Sequence, residues 1–305
     1  MKTWGFEMKR TSLLIVLLWS LWSAAALAQG RPPTPLAGEA PSEGIHLPDP
    51  SLVSRSDAAA IQLNPGSMGL APGWSLLYHH TEINREARMG GGGDALFVAA
   101  PLPYIKVLSL GTGLQWVRPA DAVGYADYVK WSIAVAASWR RYVALGASFH
   151  IFFSNADRDL DDLWSMDLGL TLRPLEWLGF GFVVRDLTTP FYGDYPLQRV
   201  YELELMGRPL RTRRLEIGAA VRIGERRGTA DPRLLITGEP IDGLRLFGNV
   251  DALRRDFNRD DSPEWDVRAT VGLELHLEQV GLAFSTLLGR RMPAAPSGPL
   301  SGDTA

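Results

Sequence analysis

The sequence predicts an all-β chain: an antiparallel transmembrane β-barrel of about thirteen strands behind a short N-terminal helix. Three observations lead there. Between Trp74 and Leu288, apolar and polar residues alternate with a period of two rather than 3.6. Many of these runs are about nine to twelve residues long, the length a tilted strand needs to cross a bilayer, whereas ordinary strands average about five or six. The connections alternate between long polar loops and short turns, the pattern of outer-membrane barrels.

In chain order, residues 1–28 read as a secretory signal. Lys2, Lys9 and Arg10 form its basic start, Ser12 to Leu27 is almost wholly apolar, and Ala26-Leu27-Ala28 offers a small-x-small cleavage site. Residues 29–53, rich in Pro, Gly and Ala, read as a linker. Residues 54–72 hold a helix-like run, Asp57 to Ile61, that breaks on Asn64-Pro65-Gly66. After residue 28 no apolar run reaches the roughly 20 residues of a membrane helix. The barrel itself is expected over 73–289.

Strands are expected near 74–80, 94–102, 106–117, 128–139, 142–153, 164–173, 176–186, 199–207, 213–224, 232–238, 242–251, 264–277 and 279–288. In 142–153, Val143, Leu145, Phe149, Ile151 and Phe153 share one face, and Ser148 and His150 the other. In 164–173, Trp164, Met166, Leu168 and Leu170 oppose Asp167, Thr171 and Arg173, and in 215–224 Ile217 and Val221 oppose Glu216 and Arg222. Trp116, Trp131, Trp139, Trp164, Trp177 and Trp265 fall near strand ends, where an interfacial girdle belongs.

With the strands placed, Asp57-Ala58-Ala59-Ala60-Ile61-Gln62-Leu63-Asn64-Pro65-Gly66-Ser67-Met68 resembles the N-terminal signature of the long-chain fatty-acid transporter (FadL) and PorV-like barrel superfamily, with Gly66 where that signature has Ala. Gly181-Phe182-Val183-Val184-Arg185-Asp186-Leu187 is similar to a strand end of the PorV-like members. The resemblance implies about fourteen strands and an N-terminal plug in the mouth that faces the periplasm. Pro65 would end the helix and Asn64 would satisfy backbone groups in the lumen.

The polar face of the strands predicts these lumen residues: Lys130, Arg140, His150, Asp167, Arg173, Arg185, Glu202, Glu204, Glu216, Arg222, Arg245, Asp251, Arg268, Glu274 and His276. Both signs are present. A selective pore favours one sign, so internal ion pairs filling a narrow barrel are the simpler expectation. Phe152 and Phe247 hint at an apolar lumen patch.

Candidate chemistry is thin. Asn155, Asp157, Asp159 and Asp161 have the alternate spacing of a calcium loop, but Leu160 stands where Gly and Met166 where Glu is needed, so a solvated acidic loop is expected. Asp256, Asp260, Asp261 and Glu264 read alike. Gly90 to Gly93 lacks the Lys-Ser/Thr of a phosphate loop. The five histidines show no zinc spacing, and Ser148 with His150 on one strand makes no triad. No catalytic residue, metal or cofactor is expected.

Of 31 basic and 34 acidic residues, removal of the signal leaves 28 and 33, a net charge near −5 that disfavours nucleic acid as a partner. There is no cysteine, hence neither a disulfide nor a Cys-linked lipid. The expected place is the outer membrane of a Gram-negative bacterium, in contact with its lipid and lipopolysaccharide. The expected role is non-enzymatic: transport of hydrophobic small molecules, or docking of secreted proteins. The alternative is the N-terminal barrel of a longer signal-peptide-peptidase (SppA-like) protein. Thirteen strands from a periplasmic start would end at the cell surface, so a fourteenth strand beyond residue 305 is expected, with 290–305 as tail or outer loop.

Overall fold

The computed structural model describes residues 40–47, 49–83, 91–105, 107–119, 125–140, 142–225, 230–255 and 264–292. The signal, Gly90, Asp256, Asp260, Asp261 and the tail beyond Met292 lie outside them. A closed barrel takes up most of the chain: β1 (Ser75–Ile83), β2 (Gly92–Pro101), β3 (Leu108–Arg118), β4 (Tyr128–Trp139), β5 (Val143–Phe153), β6 (Trp164–Leu175), β7 (Leu178–Arg185), β10 (Val200–Gly207), β11 (Leu215–Gly224), β12 (Ala230–Ile241), β13 (Leu244–Arg255), β14 (Glu264–Leu277) and β15 (Val280–Met292). Each of the thirteen expected strands is present. A small hairpin that the sequence reading missed, β8 (Phe191–Tyr192) and β9 (Tyr195–Pro196), sits in the loop after β7.

Turn chemistry explains where several strands reverse. The β12–β13 hairpin turns on Asp242-Gly243, with Gly243 at φ 85, not at the expected Glu239–Ile241. Asp-Gly suits this turn because its second central position takes positive φ, which Gly adopts without steric cost. Likewise β6 runs on through Pro174-Leu175 before reversing.

Neighbouring strands pair antiparallel with one exception. β1 and β15 pair in parallel, Leu76 opposite Val280 through Ile83 opposite Leu287, and this closes the barrel at thirteen strands. The parity argument, which called for a fourteenth strand beyond residue 305, is contradicted by this pairing of the first and last strands. Parity describes where chain ends lie, whereas closure requires only that both edges satisfy their backbone groups, and a parallel ladder does so.

The pleat separates two faces. Leu145, Phe149, Leu205, Ile217, Leu234 and Val271 are exposed on the outside, while Ser148, His150, Asp167, Glu202 and Glu274 are buried inside. Exposed Trp116, Trp131 and Trp164 lie toward the long-loop ends of their strands. Exposed Trp74, Trp139 and Trp177 lie at the short-turn ends.

Inside runs the N-terminal segment. A 3-10 turn (Pro41–Glu43) stands near the long-loop end, followed by irregular chain, α1 (Ala60–Leu63) and α2 (Pro65–Met68), after which the chain reaches β1. Residues 40–53, expected to be part of a linker, are mostly buried instead, including Ile45, Leu47, Leu52 and Val53. The segment's apolar residues, Ile61 and Met68 among them, pack with Phe97, Ala99, Ala134 and Ala136 on β2 and β4. Burial of a side chain such as Ile61 contributes roughly 1.5–3 kcal/mol.

Candidate functional site

The lumen segment and the wall charges around it form the candidate site. Its pivot is the Asn64-Pro65-Gly66 turn. The Asn64 side-chain oxygen accepts from Gly66 N at 3.0 Å, capping α2, with Pro65 at the first helical position. Its amide lies 2.7 Å from Leu52 O, 2.9 Å from Thr171 Oγ1 and 3.2 Å from Leu170 O. One side chain thus fastens two parts of the segment to β6. Gly66 is required by contact: a Cβ there would lie 2.5 Å from the Gly169 carbonyl oxygen. Gly146 and Gly169 on the wall face the same turn.

Toward the short-turn end, Arg55 is the hub. It is 2 % exposed and donates to Glu274 at 2.5 and 3.2 Å, with Asp57 at 2.9 Å. Burial works against its charge, yet Asp57, Glu274 and Asp49 outweigh it and hold the guanidinium above its ordinary range. Asp49 lies 3.4 Å from Arg245, which reaches Glu216 at 3.5 Å, and Arg208 pairs with Glu216 at 2.7 Å. Burial pushes the Asp49 carboxyl up, with Arg245 and Arg55 opposing. Above this layer, Glu204 accepts from Ser51 Oγ and Leu52 N, each at 2.6 Å.

Toward the long-loop end, Glu202 is bonded by Arg185 at 2.8 Å and Arg222 at 2.7 Å, and Arg222 reaches Glu43 of the segment at 2.7 Å. Arg233 pairs with Asp251. Arg185 also donates to the Gln62 and Leu63 carbonyls at 2.8 and 3.0 Å. Lys130 donates to Ser42 O at 2.6 Å and Gln62 Oε1 at 3.0 Å. Asp186, just past β7, accepts from Ser42 Oγ at 2.6 Å. Burial and neighbouring Asp167 push its carboxyl up to about 7, against Ser42 and Lys130.

The expected lumen residues therefore converge, with one correction. Arg140 is not in the lumen: it sits exposed in the β4–β5 turn at φ 50, because the strand ends one residue before it. Arg173 is part-buried and donates to Val53 O. Arg268 is buried opposite Asp251, and His276 contacts Glu274. The sequence reading missed Arg233, although β12 alternates (Leu234 and Ile236 out, Leu235 and Thr237 in) and could have placed it inside. Glu43, Asp49, Arg55 and Gln62 carried no periodic signal.

Two chemical arrangements arise here. His150 lies 2.7 Å from Ser132 Oγ, 3.1 Å from Ser148 Oγ and 3.3 Å from Asp167. That set is more than the two-residue pair read from the sequence. Ser132 and Ser148 are 0 % and 1 % exposed beneath the lumen segment, so a substrate has no approach to them in this state. Asp57, Glu274 and His276 place ligand atoms within 4.8 Å of one another, but the Arg55 guanidinium bridges two of the three and supplies the cation itself. In the acidic loop after β5, Asp157 and Asp161 accept backbone N–H groups and Tyr192 donates to Asp157. Those carboxylates fold the loop.

No family model, curated protein or solved structure matches this chain.

Proposed function

We propose that the protein is an outer-membrane β-barrel, exported by its N-terminal signal, whose lumen is stoppered by its own residues 40–72. It works as a membrane-held docking accessory for secreted proteins, not as an open pore. The observation that carries this is the lumen: the N-terminal segment occupies it, and Arg55, Asp49, Glu43 and Gln62 bond to the wall from both ends. A membrane setting is supported by the apolar outer face between two levels of exposed tryptophan. In water such a face would be an association hazard. The resemblance of the Asp57–Met68 stretch to FadL and PorV-like barrels agrees with the plug. Orientation follows the loops, long ones outward.

Transport of hydrophobic molecules has one observation in its favour, an apolar groove of about 490 Å³ on the outer wall among Leu172, Phe180, Leu205 and Ala219. The wall behind it is backed by the plug: a Cβ on Gly181 would lie 2.7 Å from Leu52 Cβ. The groove does not lead inside. Planar-bilayer recording and photocrosslinking from the long loops test the proposal together. The expected result is no steady conductance and capture of secreted proteins. A stable ohmic pore in the unaltered protein would overturn the stoppered reading, and loops that crosslink to no secreted protein would overturn the docking role.

A further inference from the structure

Three consecutive short turns, β4–β5, β6–β7 and β10–β11, carry most of the positive charge at their end of the barrel. They lie side by side: Arg173 N bonds Tyr142 O at 2.7 Å, and Arg208 N bonds Trp177 O at 2.8 Å. Arg140, Arg173, Arg208, Arg211, Arg213 and Arg214 stand at this rim, and Glu176 is the single acidic residue within the turns. Glu216 takes up Arg208, and Glu239 acts on Arg213 from the end of β12. Arg140, Arg211 and Arg214 are exposed, with no carboxylate partner among the described residues. Arg173 donates to Val53 O of the plug, but its Nε is buried without a hydrogen-bond partner, and Arg208 and Arg213 bear on it with like charge. Of the short-turn residues, only Lys106 and Arg141 lie outside the described ones, and both are basic. The next turns round the barrel carry Glu239, Asp242 and Glu278 instead, so the basic residues form a crescent and not a ring.

We propose that this crescent docks the phosphate headgroups of anionic phospholipid in the leaflet on the short-turn side of the membrane. The inference rests on the membrane setting proposed above. Planar guanidiniums match phosphate oxygens with paired, charge-assisted hydrogen bonds. Crowded like charges also repel one another, and an anionic surface relieves that repulsion. The same turns expose Trp139, Tyr142 and Trp177, residue types that settle at the headgroup level of a bilayer. Leu175 and Leu210 are exposed beside the arginines, where acyl chains begin. An acidic protein segment would answer the charge but leave those indoles and leucines without a partner, so the combination fits a lipid. Long arginine side chains at a strand end reach the interface while their stems lie along apolar surface.

The test is native mass spectrometry of the full chain in detergent, titrated with phosphatidylglycerol or with phosphatidylcholine of the same acyl chains. Preferential retention of phosphatidylglycerol is expected, and about 0.5 M salt should erase the preference by screening. Arg211→Gln/Arg213→Gln/Arg214→Gln removes three exposed charges and leaves Arg173 and Arg208 on their plug and wall partners. At roughly fivefold per arginine, it should weaken retention by about a hundredfold. Heat-dependent gel mobility of the variant shows that the barrel is still folded. Equal retention of the two lipids, or an unchanged preference in the folded variant, would overturn the site. Retention of lipid A with none of phosphatidylglycerol would do the same, as would displacement of the lipid by polyglutamate, which points to an acidic protein. A chain that stays folded and dispersed without detergent would instead bring down the membrane setting itself, whatever the lipids do.

Discussion

Replacing Arg55 with Met tests the lumen network at its most connected point. Arg55 is 2 % exposed and Glu274 is fully buried, with their closest atoms at 2.5 Å. Among the described residues, loss of the guanidinium leaves Glu274 with His276 in contact and Arg245 nearby, and Asp49 with Arg245 and the Ser51 N–H. Breaking one side of a buried ion pair costs about 3–5 kcal/mol, because the remaining charge stays desolvated. At about 1.4 kcal/mol per decade, the equilibrium between seated and released plug, or between folded and unfolded barrel, shifts by roughly two to three and a half decades. Urea titration of the detergent-held protein, read by gel mobility, reports barrel unfolding, and single-channel recording reports release of the plug as new conductance. The double variant Arg55→Met/Glu274→Leu should recover most of the loss, since an apolar pair of similar volume often replaces a buried ion pair at little cost. Ile217→Val on the outer face, at 48 % exposure, should change stability by under about 1 kcal/mol. An Arg55→Met protein within about 0.5 kcal/mol of the unaltered one and still closed, or a double variant no better than the single, would refute the network.

Asp186 titrates at about 7 in the folded chain against an ordinary 3.8, so the folded state holds more protons across that window and stability falls as pH rises through it. Asp186→Asn should therefore gain on the unaltered protein between about pH 4 and 7 and level off above; a pH-independent difference in urea midpoint counts against this. His46 titrates at about 4 instead of 6.5, so its contribution is complete above about 6.5 and is lost as pH falls toward 4. His46→Gln should flatten that acid limb in the same titration. Gly169→Ala sets a Cβ against Asn64 Oδ1 and 2.9 Å from Pro65 Cδ. An overpacking cost of about 1–3 kcal/mol and new channel openings are expected, and a closed, equally stable variant would contradict the tight seat. Because the chain has no cysteine, Tyr78→Cys with Leu282→Cys probes the parallel seam cleanly. A disulfide should form on mild oxidation, and its absence would mean the two edges are not adjacent.

Period-two alternation made the wall legible: Val143 to Phe153 point out and in as the pattern reads. Boundaries failed where turn chemistry was overlooked, as at Asp242-Gly243. The plug was half legible. Asn64 and Pro65 carried a turn signal that the structure turns to use, but 40–53 has the composition of a linker. Nothing in Asp49 or Arg55 alone announces burial, because their partners, Arg245 and Glu274, lie some 200 residues away on the far wall. A charge placed in a low-dielectric lumen is stable only with its complement, and complementarity between distant segments has no period.

The seam between β1 and β15 follows from the same coupling. Leu76 N bonds Gln279 O at 3.0 Å where the parallel ladder begins. On the lumen side, His79 lies 3.1 Å from the Ala283 carbonyl, and Thr81 lies 3.2 Å from Ser285 while donating to His46 O at 2.7 Å. The two β1 side chains that reach across to β15 also touch the plug. A parallel pairing is slightly weaker per residue than an antiparallel one, and here the plug's backbone supplies additional hydrogen-bond partners at that junction. His79 and Thr81 thus tie the β1 edge to β15 and to the plug at once, so in the folded chain the seat of the plug and the closure of the wall share the same hydrogen bonds and a change at either is felt at both.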